Sequence, residues 1–123
     1  MSAFKELYLR QVRAQRELYE RIGKPSETRL ERDHIVLKNL NDAIEEIIEA
    51  RRHVHCRKDW NPDKQFRPMN EVDIEDFREE VIDVFFFLMT ALIYSDASWE
   101  DVELQLREKI LFNDHREDHK YGA

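Results

Sequence analysis

Apolar side chains recur along this chain at intervals of three and four residues, the period of one helical face, in four separate stretches. In the first, Phe4, Leu7, Tyr8, Val12, Leu18, Tyr19 and Ile22 predict a helix from about Ala3 to Ile22, and Gly23 followed by Pro25 supplies its stop. Thr28 and Glu31 have capping-box spacing. Beyond them Leu37, Leu40, Ile44, Ile47, Ile48, Arg51 and Val54 trace one stripe, broken in apolar character only by Arg51, and predict a second helix reaching roughly Arg57. From Asp59 to Asn70 the residues Asn61, Pro62, Asp63 and Pro68 interrupt any period, which predicts a long loop of the kind that often carries function. Asp73 is the expected cap of a third helix whose stripe is Ile74, Phe77, Val81, Val84, Phe85, Leu88 and Leu92, ending near Tyr94. Ser98 with Asp101 opens a fourth, with Trp99, Val102, Leu106 and Ile110 as its buried face.

These elements predict an all-α chain: a four-helix, antiparallel, bundle-like subunit forming one domain over residues 1–123. Composition agrees, since 38% of residues are charged, 41% are hydrophobic, and only two Gly and three Pro are present. A formal net charge of -7 argues against nucleic acid as a partner, although an acidic protein binds anionic phosphates when divalent metal bridges the two. The single cysteine, Cys56, excludes an intrachain disulfide and a thiolate zinc site. No apolar run at the N-terminus has signal-peptide length, and Val81 to Ile93 is too short to span a bilayer. A soluble chain in the cytoplasm, with no membrane partner, is the expectation.

Two pairs of acids change the picture. Glu46 and Glu49 on the second helix, and Glu80 and Asp83 on the third, are each spaced i,i+3 and so share a helix face. The residues around Asp83, including Val81, Ile82, Val84, Phe85, Phe86 and Phe87, are apolar on every side, which predicts a buried helix with no solvated face for that carboxylate. An isolated ionised acid there costs several kcal/mol (~3 or more), so it needs a partner, a proton or a cation. With Glu80 beside it, a hard divalent ion is the economical answer. Three further helices cannot cover every side of such a helix, which predicts self-association. His53, His55, His115 and His119 read as surface groups rather than a zinc set.

The pairing Glu46-Ile-Ile-Glu49 with Glu80-Val-Ile-Asp83 resembles the metal signature of the all-α nucleoside triphosphate pyrophosphatases, the dimeric dUTPases and their MazG-like relatives, and is most similar to the phage-type dimeric branch. That resemblance implies Mg²⁺, or Mn²⁺, held by Glu46, Glu49, Glu80 and Asp83, with Glu46 or Glu49 also acting in catalysis. Lys58 and Trp60 in Arg57-Lys58-Asp59-Trp60, with Cys56 just before, and Lys109, Asn113 and Arg116 followed by Tyr121, resemble the family's other segments. By the same likeness Lys58, Lys109, Asn113 and Arg116 would meet phosphate oxygens. Gln15 with Leu18, together with Trp60, would meet the base. The implied reaction converts a deoxynucleoside triphosphate to the monophosphate and diphosphate in a homo-oligomer, dimer or tetramer, in the host cytoplasm if the chain is phage-encoded. The family's His after the second acidic motif is Phe86 here, and the polar residue after its Q-x-x-L is Tyr19. Alongside dUTP, therefore, dCTP, dATP and dGTP stay open, as does a non-enzymatic helical dimerisation module built on Phe85, Phe86 and Phe87.

Overall fold

The computed structural model describes residues 2–23, 25–55 and 67–120, with side chains left aside for Ser2 and residues 116–120. The described chain is helical, with α1 at Ser2–Arg21, α2 at Arg29–Arg51, α3 at Glu71–Tyr94 and α4 at Trp99–Lys120, and contains no strand. Gly23 takes φ 69° after α1, a left-handed turn that only glycine adopts freely. The capping box of α2 is present, Thr28 accepting from the Glu31 amide and Glu31 accepting from that of Thr28. Helix α3 begins before its expected cap. Asn70 is the N-cap, and Asp73 is the third-position partner that reaches back to the Asn70 amide at 3.1 Å. Asp73 has the composition of a cap, but Asn70 three residues earlier completes a reciprocal pair, which satisfies two orphan donors instead of one.

Helix α2 ends at Arg51, short of Arg57. It then packs antiparallel to α3, bringing Ile35 near Tyr94 at one end and His53 near Glu80 at the other. The buried line of α2 is Ile35, Asn39, Ala43 and Ala50, not the stripe of Leu37, Ile44 and Ile48, which is exposed. The contrast is large: Ile35 is 0% exposed and Ile44 55%. Small residues on this seam let two backbones approach closely, so the helix pair sacrifices hydrophobic bulk for proximity. Asn39 is satisfied there, its amide donating to Ile35 O at 2.8 Å and to the Tyr19 hydroxyl at 3.3 Å.

Helix α1 lies across α3, with Tyr8 packed against Met89, Trp99 and Val102 and its hydroxyl donating to Ala97 O at 2.7 Å. Tyr19 meets Tyr94 edge to face at 5.2 Å. The turn between α3 and α4 is fastened by Asp96, at φ 68°, whose carboxylate pairs with Arg29 at 2.7 Å and Arg32 at 3.1 Å. Arg29 also donates to Tyr94 O. Helix α4 turns away from α3 by 117°. Trp99 and Val102 are buried, whereas Leu106 and Ile110, expected on the same buried face, are exposed. Within one chain α4 thus joins the body by its first turn and does not close a four-helix bundle. Among the described residues no single helix is long and apolar enough to cross a membrane.

Candidate active site

The seam between α2 and α3 places two of the four acids inward. Glu46 falls between Ala43 and Ala50 on the buried line of α2 and is half-buried, as is Glu80 on α3. Glu49 and Asp83, one turn away on the same faces, are exposed. The sequence argument for burial therefore passes from Asp83 to Glu80. Asp83 has solvent because the described residues leave Val81, Ile82 and Phe85 beside it exposed.

The neighbouring carboxylates act on Glu46. Burial pushes the Glu46 carboxyl above the usual range, and the neighbouring charges of Asp83, Glu80, Glu49 and Glu45 push it further in the same direction. Glu80 Oε2 is buried without a hydrogen bond, although His53 Nε2 stands 3.1 Å away, at ion-pair distance but without hydrogen-bonding alignment. Glu49 pairs with Arg52 at 3.2 Å on the surface, a contact of little energetic weight. A cluster of carboxylates whose charges push the Glu46 carboxyl up, with the Glu80 Oε2 oxygen buried and unsatisfied, has the donor chemistry of a hard divalent cation site. As the side chains stand, no three Asp, Glu, His or Cys groups among the described residues are gathered to hold a metal. The fit lies in donor type and mutual charge, and ligation would require the carboxylates to rotate inward.

A pocket of about 230 Å³ opens beside Asp83, between α1, α2 and α3. Gln11, Gln15 and Asn39 bring amides to it, and Tyr19, Phe86 and Phe87 bring rings. Gln11 is engaged with Thr90 Oγ1 at 3.0 Å, and Asn39 with its own helix. The Gln15 side chain makes no hydrogen bond to a described residue, so its donors and acceptor are open to a ligand. A larger, open hollow of about 900 Å³, whose described lining is Glu71, Ile74, Glu75, Arg78, Glu79, Ile82 and Asp83, runs along the outer side of α3. The smaller pocket is the better recognition site, because three helices converge on it and it sets rings beside amides and the charged Lys38, Asp42 and Asp83.

Of the remaining expected residues, Lys58 and Trp60 lie outside the described residues, as do Cys56, Tyr121 and the Arg116 side chain. Lys109 and Asn113 are exposed on α4, whose backbone approaches neither α2 nor α3. The chain does not bring them to its own acids. The sequence reading placed His53 and His55 on the surface, whereas the structure partly buries both. His53 and His55 are half-buried where α2 ends, His55 lying 3.6 Å from Asp73, itself 2.6 Å from Arg67. Arg67 also meets the His55 ring at 3.1 Å, and its backbone amide donates to His55 O at 3.2 Å. These contacts clasp the chain at the two ends of segment 56–66. An available signal was the short spacing of His53 and His55 from the end of α2, opposite the acidic start of an antiparallel α3. Comparison of the chain with protein-family models, with curated proteins and with solved structures finds no match, so its site is read from its own residues and geometry alone.

Proposed function

We propose that the chain is a Mg²⁺-dependent nucleoside triphosphate pyrophosphohydrolase, converting a deoxynucleoside triphosphate and water to the monophosphate and diphosphate, with dUTP the first-choice substrate and dCTP, dATP or dGTP the alternatives. The observation that carries this reading is that Asp83 belongs at once to the acidic cluster and to the amide-and-ring pocket containing Gln15. One end of a nucleotide needs charge-neutralising metal, the other an apolar slot with a few polar contacts.

Magnesium, when bound, offsets triphosphate charge and makes water more acidic. The protein's own part is to hold that charge in place and to receive a proton. Glu46, with its carboxyl raised by burial and by its acidic neighbours, is the better base of the two on α2, and Glu49 a cation ligand. Water attacks the α-phosphorus, its proton passes to Glu46, and the bond from that phosphorus to the bridging oxygen breaks with diphosphate leaving. Gln15 pairs with the base edge while Phe86 and Phe87 wall the sugar and exclude water.

Hydrolysis in heavy-oxygen water tests the bond assigned. The label should enter the monophosphate, and label in free phosphate with a nucleoside diphosphate as product would contradict the reaction. A second reading, a non-enzymatic dimerisation module, is favoured by the exposed side chains of Phe85, Leu88 and Leu92. It predicts that Mg²⁺ leaves the thermal midpoint unchanged.

A further inference from the structure

Several polar groups around the pocket beside Asp83 are already committed. Thr90 Oγ1 donates to Phe86 O at 3.0 Å and accepts from Gln11, and Asn39 donates to Ile35 O and the Tyr19 hydroxyl. On α2 the same lining also holds an ion pair, Lys38 Nζ standing 2.8 Å from Asp42 Oδ2, and Lys38 is the one Lys or Arg in the described lining. The pair does little for the helix, because a cation four residues before its anion is the weaker orientation of a contact that is weak in either order. Asp42 nevertheless gives up much of its water, its side chain being 28% exposed against 55% for Lys38. The carboxylate is the inner member and the ammonium sits at the rim.

Glu46, Asp42 and Lys38 follow one another at four-residue steps on one face of α2, about 6 Å apart along the axis. Because α2 and α3 are antiparallel, the same path leads from Asp83 towards Phe86, Phe87 and Thr90. One to two helical turns separate the acids from the pair, the span of a nucleoside from its 5′ oxygen to the far edge of its base. A nucleotide whose phosphates lie at the acids therefore brings its base to Lys38 and Asp42.

With Oδ2 bonded to Lys38, Asp42 keeps Oδ1 as an acceptor, and the ammonium keeps two of its three N–H donors. Asp42 lies deeper than Lys38 and opposite the Gln15 amide of α1, so the middle of this row is an acceptor that demands an N–H from the ligand. Uracil, thymine and guanine present a ring N–H there beside a carbonyl that accepts from Lys38. Cytosine and adenine present a bare ring nitrogen, whose lone pair would face the carboxylate. We propose that Lys38 and Asp42 read the base, and that the site takes triphosphates of keto bases and rejects those of amino bases. This rests on the pyrophosphohydrolase reading and narrows its substrates to the class of dUTP, dTTP and dGTP.

Diphosphate release from the five deoxynucleoside triphosphates by wild type, Asp42→Asn and Lys38→Met tests it. In wild type one keto nucleotide should lead dCTP and dATP by about 100-fold or more in kcat/KM. Asp42→Asn, which adds a donor where only an acceptor stood, should narrow that lead by about 10-fold or more, the loss falling on KM. A wild type led by dCTP or dATP, or an Asp42→Asn chain that keeps the wild-type lead, would overturn the proposal. So would a Lys38→Met chain slowed equally on all five, which would assign Lys38 to phosphate. Calorimetry with the five deoxynucleosides, which carry no phosphate, separates base reading from chemistry. If wild type releases no diphosphate, the enzymatic reading fails and the nucleosides decide: keto binding lost in Asp42→Asn sustains the pair's role, and binding without preference, or none, overturns it.

Discussion

Arg67 donates to Asp73 at 2.6 Å, and this contact fastens the point where the chain enters α3. The Arg67 hydrogen bond, the Asn70 amide and the nearby positive charge of Arg67 hold the Asp73 carboxyl at about 2, well below its ordinary value. A carboxyl depressed on folding stabilises the fold above its unfolded value, and that contribution is lost as pH falls through the folded one. Arg67→Met should therefore lower the urea midpoint at pH 7 and flatten its decline between about pH 4 and pH 2. A variant with the wild-type acid profile would show that the clasp does not couple to folding.

Glu46 has the opposite sign. Its folded value is raised, so its contribution favours the fold below the unfolded carboxyl value and is lost as pH rises through the folded value. Glu46→Gln, without metal, should raise the thermal midpoint by a few degrees (~2–5) at pH 7 and leave it unchanged below about pH 4. Differential scanning calorimetry at the two pH values reads this directly, and equal gains at both would assign the effect to packing.

The seam between α2 and α3 predicts an asymmetry among the isoleucines of α2. Ile35→Ala, fully buried in the wild type, should cost about 2–4 kcal/mol in urea unfolding. Ile48→Ser, exposed in the single chain, should cost the isolated chain less than about 0.5 kcal/mol. Similar costs for both in dilute protein would reverse the assignment of the buried face.

Gln15 is the open amide in the pocket beside Asp83. Gln15→Ala should raise KM for the preferred nucleotide about 10-fold or more and narrow its lead over other bases, with the Mg²⁺ dependence of the rate unchanged. An unaltered ranking of the nucleotides would remove Gln15 from base recognition.

Helix existence and order were readable in the sequence because caps such as Thr28/Glu31 and Ser98/Asp101 act locally, within a few residues. Which side of a helix faces inward was less readable. The inner line of α2, with Asn39, Ala43, Glu46 and Ala50, carries almost no hydrophobic signal, while the stronger stripe of Leu37, Ile44 and Ile48 is exposed on the single chain. A stripe that must be covered looks the same in sequence whether the cover comes from the same chain or another. That ambiguity also explains α4, where Trp99 and Val102 are core and Leu106 and Ile110, on the same period, are not. The acid pairs were legible as spacing, but that Glu46 and Glu80 turn inward while Asp83 keeps solvent depends on the crossing of two helices.

Release of diphosphate from dUTP, dCTP, dATP, dGTP and dTTP, with and without Mg²⁺, by wild type and by Asp83→Asn, tests the central claim most directly. The expected result is strong release from one nucleotide that needs Mg²⁺ and falls by about 100-fold or more in the variant. A folded wild-type protein that releases none from any of the five, or a variant as active as wild type, would contradict it.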